Sequence, residues 1–347
     1  MTEKKTIVAL SGDGIGPEIM AQALRVLKVV AEKIEFDYEV VEKAFGGAGI
    51  DQFGHPLPEE TLLACQNSDA ILLAAIGAPK YDNAPVRAEQ GLLALRKALG
   101  LYANIRPITV HPALAHLSPL KREVVVGSDF VVVRELTGGI YFGEHTLEET
   151  SARDVNDYSA EEIRRIIRKA FEIARKRKKK VTSVDKQNVL ATSKLWRKIA
   201  DEVATEYPDV TLEHQLVDSC AMLMITNPKK FDVIVTENLF GDILSDEASV
   251  LPGSLGVMPS ASHSETGPSL YEPIHGSAPD IAGQNIANPV SMLLSVAMLL
   301  RESFDNEVGA SMIEQACDTV MNEGILTRDL GGDASTSEFV DALIKHL

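Results

Sequence analysis

Short apolar segments alternate with segments of helical periodicity along most of the chain. In the first hundred residues the pattern predicts strands at KTIVAL (5–10), DYEVVEK (37–43) and AILLAAIG (70–77), and helices at 17–33, 58–67 and 87–99. Strands that are joined by helices run parallel to one another. This order therefore predicts an α/β protein with a largely parallel sheet.

The middle of the chain interrupts the alternation. VVVGSDFVVVRELTGGIYFGE at 124–144 contains two β-rich runs joined by Gly138 and Gly139, which predicts an antiparallel hairpin. The alternation then resumes, with helices predicted at 160–178, 193–206 and 219–226, strands at 180–186, 210–217 and 231–237, and a further helix through Asp246. After a passage rich in Pro, Gly and Ser at 251–269, the pattern is mainly helical, including 289–302 and 307–323.

Size and composition narrow the class of protein. A chain of 347 residues predicts about two domains. Its three cysteines, an odd number without CxxC spacing, argue against a disulfide framework or a zinc site and favour a reducing compartment. No apolar stretch is long enough to cross a bilayer and no export signal is recognisable, so we expect a cytoplasmic protein. A net charge of −16 opposes binding to nucleic acid or to an anionic membrane.

A glycine-rich turn separates the first predicted strand from the first helix. SGDGIGPE at 11–18 places Gly12 and Gly14 where backbone N–H groups can approach a phosphate at a helix N-terminus. A Rossmann fingerprint requires a third glycine where this chain has Pro17. The glycines alone are equally consistent with a tight turn followed by a proline that starts the helix.

Three arginines are candidate anion-binding residues. Arg96 lies in the helical segment GLLALRKAL, Arg106 in YANIRP and Arg134 at the end of the apolar run FVVVREL. Arg134 requires either solvent at the strand end or a buried anion, whereas Arg96 alone would also suit a solvated helix face. Because a guanidinium binds a carboxylate through two parallel hydrogen bonds, several converging arginines would suit a ligand with more than one carboxylate.

Acidic residues could bind a cation. Asp242 and Asp246 are four residues apart in NLFGDILSDEAS, on one face of a predicted helix, where their charges repel. A hard cation such as Mg²⁺ or Mn²⁺ would compensate this repulsion, although such pairs are also common on solvated faces. Asp218, which follows the strand ending in EHQLV, is either a third ligand or a helix N-cap.

Two further side chains could move protons. Lys186 ends the strand VTSVDK and could act as a base if burial or nearby cations lowered its pKa. Tyr141 follows the Gly138 and Gly139 turn, where a phenol can relay a proton. Taken alone, a solvated lysine and a packed tyrosine are the simpler interpretations.

All of these candidates except Asp218 lie in blocks by which the chain resembles the isocitrate and isopropylmalate dehydrogenases, a family of decarboxylating β-hydroxyacid dehydrogenases. The blocks follow one another almost from end to end: GDGIGPE at 12–18, LRKAL and LYANIRP within 95–107, VRELTGGIYFGE at 133–144, VDKQNVL at 184–190, NLFGDILSDEAS at 238–249, EPIHGSAPDIAGQNIANP at 272–289 and DLGG at 329–332. The resemblance implies a two-domain α/β fold with a mixed, mostly parallel sheet, distinct from the conventional Rossmann fold. It implies a nucleotide-binding domain at 1–101 and 253–347, and a domain for substrate, metal and dimerisation at 102–252.

The resemblance also implies a reaction. It is the oxidative decarboxylation of (2R,3S)-3-isopropylmalate to 4-methyl-2-oxopentanoate and CO₂, in leucine biosynthesis, with reduction of NAD⁺ and assistance from Mg²⁺ or Mn²⁺. By motif position, Lys186 would remove the hydroxyl proton and Tyr141 would help to protonate the enolate. The remaining matched side chains would bind the substrate carboxylates (Arg96, Arg106 and Arg134) or the metal (Asp218, Asp242 and Asp246), with Asp218 also near the substrate.

Cofactor binding and assembly follow from the same resemblance. The resemblance assigns NAD⁺ to the loop from His275 to Asn288, through His275, Gly276, Ser277, Ala278, Pro279, Asp280 and Asn288, with Ile15 and Glu89 nearby. Asp280 would bond the ribose hydroxyls and repel a 2′-phosphate, which favours NAD⁺ over NADP⁺. Lys186 and Asp218 would reach the site of the partner subunit, so the active form would be a homodimer.

Substrate choice rests on apolar side chains. Leu92, Leu93 and, from the partner subunit, Val189 resemble a pocket for a branched alkyl group, which disfavours a third carboxylate. One methylene changes discrimination by only about 1–3 kcal/mol, so dehydrogenases of D-malate, tartrate or other 3-substituted malates remain alternatives. The family usually continues YFGEPR or YFGEPK, whereas this chain has His145 and Thr146, so the contribution of that loop is open.

Two other classes of function compete with this interpretation. A Mg²⁺-dependent phosphoryl-transfer or hydrolytic enzyme could also use Asp242, Asp246 and the arginines. The six consecutive basic residues at 175–180 could form a nucleic-acid patch, but they end a predicted helix, where they complement the helix dipole in solvent.

Overall fold

The computed structural model describes residues 4–81 and 84–347. Up to residue 100 its elements are β1 (Lys5–Gly12), α1 (Gly16–Lys33), β2 (Tyr38–Glu42), α2 (Gly47–Phe53), α3 (Glu59–Gln66), β3 (Ala70–Ala75) and α4 (Ala88–Leu99). Up to residue 253 they are β4 (Ala103–Thr109), α5 (Arg122–Val125), β5 (Asp129–Glu135), β6 (His145–Leu147), β7 (Ala152–Asp154), α6 (Ala160–Arg175), β8 (Lys180–Asp185), α7 (Ala191–Ala204), β9 (Thr211–Leu216), α8 (Val217–Thr226), β10 (Val233–Thr236) and α9 (Asn238–Ser249). The rest are β11 (Pro259–His263), β12 (Ser269–Pro273), α10 (Val290–Phe304), α11 (Glu307–Asn322) and α12 (Thr336–His346).

The chain divides into two compact units. The first comprises Met1–Gly100 and Ser254–Leu347, and the second Leu101–Gly253. In the first unit the strands follow the order β2-β1-β3-β12-β11, with all neighbours parallel except β11 and β12. Every residue of β3 is buried, because helices cover this part of the sheet. No helix in the described ranges is both long enough and apolar enough to cross a membrane.

The second unit repeats this design with different strands. Its order is β4-β5-β10-β8-β9, and only β4 runs antiparallel to its neighbour. The helix α6 begins at a capping box, in which Ser159 accepts the N–H of Glu162 and the Glu162 carboxylate accepts the N–H of Ser159. Both units confirm the predicted α/β class with a mixed, mostly parallel sheet.

The predicted hairpin across Gly138 and Gly139 is wrong. The antiparallel partner of β5 is β4, which precedes it, and the chain turns through a 3₁₀ segment at Gly139–Tyr141 after β5. The separate hairpin of the unit is formed by β6 and β7. Glu135 accepts the N–H groups of Thr137 and Gly138, both at 2.8 Å, and so caps this turn in place of a strand ladder. Tyr141 therefore lies in a turn and not in a hairpin.

The passage rich in Pro, Gly and Ser at 251–269 also differs from expectation. It contains β11 and leads into β12, and all five residues of β11 are buried. A strand of small and polar residues lacks the apolar alternation by which strands are recognised. The seven-residue helix α2 was also not predicted, because it includes two glycines, which have a low helix propensity.

Candidate active site

The candidate residues of the second unit lie at the carboxyl ends of its parallel strands. Arg134 is near the end of β5, Asn238 starts the helix after β10, Lys186 follows β8 and Asp218 follows β9. Register places these strand ends side by side, since Arg134 is opposite Thr236 and Asp185 is opposite Leu216. Open α/β sheets bind their ligands at this edge.

Arg134 is the centre of a cluster of polar side chains. It is 6% exposed, and its Nε and one terminal nitrogen donate to Oδ1 of Asn238 at 3.1 and 2.8 Å. Its other terminal nitrogen donates to Oδ1 of Asp242. Gly241 permits this packing, because a Cβ there would lie 2.6 Å from the Arg134 side chain. Arg134 is thus a buried guanidinium that is compensated by an anion and an amide.

Arg106 is paired with the second acidic residue of α9. One terminal nitrogen donates to Ser245 Oγ at 2.7 Å and to Asp246 Oδ1 at 3.2 Å, and its Nε donates to Asn104 at 2.8 Å. Asp246 itself is 75% exposed. The repulsion predicted between Asp242 and Asp246 is therefore relieved in this structure by an arginine for each carboxylate.

Tyr141 joins the Arg134 cluster from the turn after β5. Its hydroxyl donates to Oδ2 of Asp242 at 2.7 Å, and the Arg134 guanidinium lies 5.9 Å from the centre of its ring. Burial, reinforced by the Asp242 carboxylate, raises the pKa of the Tyr141 phenol. The group therefore remains protonated at neutral pH and can supply a proton.

Lys186 and Asp218 form a pair of their own. Lys186 Nζ lies 2.8 Å from Asp218 Oδ1, and this hydrogen bond lowers the pKa of the Asp218 carboxyl. In the described part of a single chain, no three His, Cys, Asp or Glu side chains are grouped closely enough to hold a metal ion. One chain thus brings Asp242 and Asp246 together on α9 but leaves Asp218 with Lys186.

The donor set fits a hard divalent cation. Asp242 and Asp246 occupy one face of α9, and the side chains of Asp242, Asp246 and Asp218 are 37%, 75% and 63% exposed. Their carboxylate oxygens can therefore be reached from solvent, and oxygen ligands suit Mg²⁺ or Mn²⁺.

Arg96 does not lie on a freely solvated helix face. In the first unit its guanidinium donates to Glu272 at 2.9 Å, and the two side chains are 20% and 12% exposed. Its Nε is buried without a hydrogen-bond partner. Arg96 is thus held by an acidic partner in its own unit, and its role in binding a carboxylate stays a prediction.

The three side chains predicted for an alkyl pocket differ in exposure. Leu93 on α4 is 55% exposed and Val189, after β8, is 65% exposed, whereas Leu92 is partly buried. Exposed leucine and valine side chains are available to pack against a ligand or another chain.

In the first unit, Asp13 connects three loops at the carboxyl ends of the strands. Its Oδ2 accepts the N–H groups of Gly47 and Gly77 at 2.8 and 2.9 Å, and its Oδ1 accepts that of Ala48 at 2.9 Å. These amides belong to the segments after β2 and β3, while Asp13 itself follows β1. One carboxylate thereby fixes the shape of this edge.

Ser277 connects the predicted cofactor loop to the same edge. Its carbonyl accepts the N–H of Ile15 at 2.8 Å and its hydroxyl donates to the carbonyl of Gly77 at 2.6 Å. The side chain of Ile15 is buried, so Ile15 contributes its backbone here. A Cβ on Gly14 would lie 2.0 Å from the Ser277 carbonyl, which explains the glycine at this position.

The remaining predicted cofactor residues are of two kinds. Gly276, Pro279 and Asp280 are exposed, and Ala278 adopts a positive φ of 39° between them. His275 is half-buried with its Nε2 unpartnered, and burial lowers the pKa of its imidazole. Asn288, by contrast, is buried, accepts the N–H of Val290 at 3.0 Å and donates to Asp329 at 2.9 Å.

Glu89 lies beside this edge. Its Oε1 is 3.0 Å from the position that a Cβ on Gly77 would occupy, and its side chain is 53% exposed. An exposed carboxylate is thus held next to the loop that Asp13 and Ser277 fix.

The six basic residues at 175–180 are largely paired with acidic side chains. Ion pairs join Arg175 to Asp209 at 2.7 Å, Arg177 to Asp232 at 2.9 Å and Lys180 to Glu213 at 2.6 Å. The helix α6 ends at Arg175, as the prediction of a helix end requires. The run therefore has acidic partners in its own unit and lacks the character of a free cationic patch.

Three residues of the site were not predicted. Asn238 orients Arg134, Glu272 pairs with Arg96 and Asp13 joins the loops of the first unit. Asp13 had a recognisable signal, since it stands between Gly12 and Gly14 directly after a strand. Both glycines have positive φ, and a carboxylate in such a turn can accept backbone N–H groups.

Comparisons with known proteins agree with the geometry. The model of the isocitrate/isopropylmalate dehydrogenase family matches residues 6–343. A Streptococcus thermophilus protein described as 3-isopropylmalate dehydrogenase is 75% identical over 343 residues, 99% of each chain. A Streptococcus mutans protein of the same description is 72% identical, over 99% of this chain and 100% of its own. The crystal structure of an isocitrate dehydrogenase from Methylococcus capsulatus has a TM-score of 0.87 and 35% identity, over 99% of each chain.

Proposed function

Because the chain belongs to the isocitrate/isopropylmalate dehydrogenase family, we propose that it oxidises and decarboxylates (2R,3S)-3-isopropylmalate, with NAD⁺ as the hydride acceptor. The products are 4-methyl-2-oxopentanoate, CO₂ and NADH. The relatives described as 3-isopropylmalate dehydrogenases support this choice of substrate within the family.

One observation carries the chemical part of the proposal. Arg134 and Arg106 are each paired with an aspartate of α9, Asp242 and Asp246. A dicarboxylate and a divalent cation bring opposite charges to this cluster. The arginines can exchange the aspartates for substrate carboxylates while the aspartates turn to the cation, so that no charge is left unpaired.

The residues of the site then have separate tasks. Arg96, Arg106 and Arg134 bind and orient the substrate carboxylates, and Asp218, Asp242 and Asp246 hold Mg²⁺ or Mn²⁺. The metal, when bound, acidifies the substrate hydroxyl and polarises the resulting ketone so that the β-carboxylate can leave.

Two side chains transfer protons. Lys186 takes the hydroxyl proton at Nζ, for which its amine must be neutral. Its present partner is the Asp218 carboxylate, and engagement of Asp218 as a metal ligand would release Lys186 Nζ from this hydrogen bond. Tyr141 holds a proton on its hydroxyl, 2.7 Å from Asp242, and delivers it to the enolate after CO₂ departs.

NAD⁺ binds to the loops at the carboxyl ends of β1, β3 and β12. The residues that would hold the nucleotide are His275, Gly276, Ser277, Ala278, Pro279 and Asp280, with Ile15 and Asn288 supporting the loop and Glu89 nearby. The exposed Asp280 bonds the ribose hydroxyls, and its charge disfavours the 2′-phosphate of NADP⁺.

The active form is a homodimer in which Lys186 and Asp218 serve the site of the other subunit. Support comes from the described part of one chain, which does not group three acidic side chains closely enough to hold a metal ion, and from apolar side chains that one chain leaves in solvent. Met222 on α8 is 70% exposed, and Ile243 on α9 is 59% exposed. Burial of such side chains favours association. The three cysteines are buried and unpaired, which suits a reducing compartment, and we place the enzyme in the cytoplasm.

A substrate panel tests the proposal. NADH formation is followed with Mg²⁺ on 3-isopropylmalate, D-malate, tartrate, isocitrate and homoisocitrate. We expect the highest kcat/KM for 3-isopropylmalate, about 10-fold or more above D-malate, because the alkyl pocket contributes roughly 1–3 kcal/mol. A higher kcat/KM for D-malate, tartrate or isocitrate would assign the chain to another reaction of the family. Metal-dependent turnover without NADH would contradict the proposal altogether.

A further inference from the structure

Glu237 is a buried carboxyl group with no part in the proposed mechanism. It is 5% exposed and caps the N-terminus of α9, since its Oε1 accepts the N–H of Phe240 at 3.1 Å. Its other oxygen, Oε2, is buried and has no hydrogen-bond partner. A buried carboxylate oxygen without a donor is unfavourable. The nearby Tyr158 hydroxyl interacts with this carboxyl group, but it donates to Glu135 and accepts the N–H of Asn238, so a further partner for Oε2 is to be expected.

A small cavity adjoins this side chain. Its volume is about 10 Å³, the space of a single water molecule. The lining residues are Glu237, Tyr158, Val184, Thr192, Ser193 and Trp196. Carboxylate and hydroxyl groups at one small cavity supply the two to four polar partners that a buried water requires.

Ser193, which also lines the cavity, supplies a hydrogen-bond donor. It is 4% exposed, and its Oγ accepts the backbone N–H of Lys186 at 3.0 Å. Its own hydroxyl proton has no acceptor among the residues that the structure describes. The serine can therefore donate into the cavity while it holds the backbone of Lys186.

We propose that one buried water accepts a hydrogen bond from Ser193 and donates one to Glu237 Oε2, which makes Glu237 a positioning residue for Lys186. The contacts of the water stand on the geometry alone, whereas the catalytic consequence rests on the proposed function, in which Lys186 is the base. Glu237 acts on Lys186 indirectly, through the water and Ser193.

The water connects two parts of the catalytic set within one chain. The residue after Glu237 is Asn238, which orients Arg134, and the other end of the connection is the backbone of Lys186. In the proposed dimer Lys186 serves one active site and Arg134 the other. A change at Glu237 therefore alters the support of residues in both sites.

Glu237→Gln is a sharp test because a carboxylate can accept hydrogen bonds at both oxygens and an amide at only one. The variant keeps either the cap on Phe240 or the acceptor for the water, but not both. Ser193→Ala removes the other end of the connection. Ser159→Ala is the matched control, since it removes the cap of α6 in the same unit without contacting Lys186.

The first measurement is independent of catalysis. Amide hydrogen exchange of residues 184–190 is followed by mass spectrometry at pH 8, where Glu237 is ionised. We expect both Glu237→Gln and Ser193→Ala to accelerate exchange in this segment about fivefold, the factor that corresponds to the net free energy of one hydrogen bond. Ser159→Ala should leave the exchange unchanged. Wild-type exchange rates in Glu237→Gln would overturn the proposal, as would an empty cavity in a high-resolution crystal structure of the wild type.

The second measurement concerns turnover of 3-isopropylmalate. We expect Glu237→Gln and Ser193→Ala each to lower kcat about 10-fold with little change in KM for NAD⁺, and the double variant to lose no more than the worse single variant. Additive losses would overturn the connection. Accelerated exchange in the two variants, together with a wild-type enzyme that does not oxidise 3-isopropylmalate, would instead refute the proposed function alone.

Discussion

The ammonium of Lys186 lies 2.8 Å from the carboxylate of Asp218, and the two residues follow neighbouring parallel strands. The pair forms within one chain, and among the residues that the structure describes no three His, Cys, Asp or Glu side chains are grouped closely enough to hold a metal ion. A lysine and an acidic residue thus stand together as a unit that can act elsewhere in an assembly.

Removal of the lysine should abolish chemistry but spare cofactor binding. We expect Lys186→Ala to lower kcat by about 10²–10⁴-fold, the usual contribution of a general base, with the Kd for NAD⁺ changed less than twofold. Steady-state kinetics and a fluorescence titration of NADH measure the two quantities. Lys198→Ala, at a 70% exposed position on α7, is the control. Activity within 10-fold of wild type would remove Lys186 from the role of base.

Mixed dimers test whether the sites are shared. Lys186→Ala and Asp242→Ala are each expected to be inactive, but a dimer containing one subunit of each retains one complete site. Random exchange of subunits should restore about one quarter of the wild-type activity, since half of the dimers are mixed and each has one working site. Native mass spectrometry monitors the exchange. Mixed dimers without activity would show that each chain builds its own site.

Asp280 should determine the cofactor. Asp280→Ala removes a negative charge from the exposed loop that is proposed to bind the adenosine ribose. We expect the ratio of kcat/KM for NAD⁺ to that for NADP⁺ to fall about 10-fold or more, because the 2′-phosphate is no longer repelled. Asp37→Ala, an exposed acidic residue at the amino end of β2, controls for net charge. An unchanged ratio would refute the role of Asp280.

Asp13 should support cofactor binding through loop shape. Asp13→Asn leaves one side-chain oxygen as the acceptor for three N–H groups. Its NH₂ group faces the N–H donors that the second carboxylate oxygen accepted, which should cost about 2 kcal/mol of unfolding free energy. We also expect KM for NAD⁺ to rise about 10-fold, with a smaller change in kcat. Asp69→Asn is a matched control, since Asp69 accepts the N–H of Thr6 at the opposite end of β1. Equal effects of both variants on KM would contradict the assignment.

Glu237 should make stability depend on pH. Burial, with the nearby Glu135 charge, raises the pKa of Glu237 to about 7, despite the opposing effect of Arg134. Between an unfolded pKa of 4.5 and about 7 the folded chain holds a proton that the unfolded chain has lost, so this contribution to stability declines as pH rises. Glu237→Gln cannot ionise. Between pH 5 and pH 8 the unfolding free energy of the wild type should therefore fall by up to about 3 kcal/mol relative to that of Glu237→Gln, as measured by urea denaturation. Parallel pH profiles would show that Glu237 does not titrate in this range.

The fold was predictable where the apolar residues followed an unambiguous helix or strand pattern. Helix α6 and the buried strand β3 carry unmistakable patterns, and both were expected within a few residues of their bounds. By contrast β11, PSASH, is a strand because its neighbours bury it, and its own residues give little sign of this. The turn at Gly139 depends on Tyr158, whose ring would collide with any Cβ there. That contact could not be inferred from local sequence.

The charged residues of the site were predictable by type, but their partners were not. Arg134 meets Asn238 across 104 positions, and Asp13 meets Gly77 across 64. Such pairs are created by the order of strands in the sheet, which periodicity leaves open. The sequence could therefore name the groups that carry charge, while the structure supplies the groups that hold them in place.

Asp13 recognises only the peptide groups of Gly47, Ala48 and Gly77, and every residue except proline presents such a group. Gly47 itself is constrained, because a Cβ would lie 2.4 Å from the Tyr81 ring, but the anchoring makes no demand on the side chain at position 48. The contacts that fix the shape of this edge are thus made by other residues than those whose side chains are exposed on it. Evolution or a protein engineer can exchange exposed side chains such as Asp280 for a new cofactor preference while these contacts are retained.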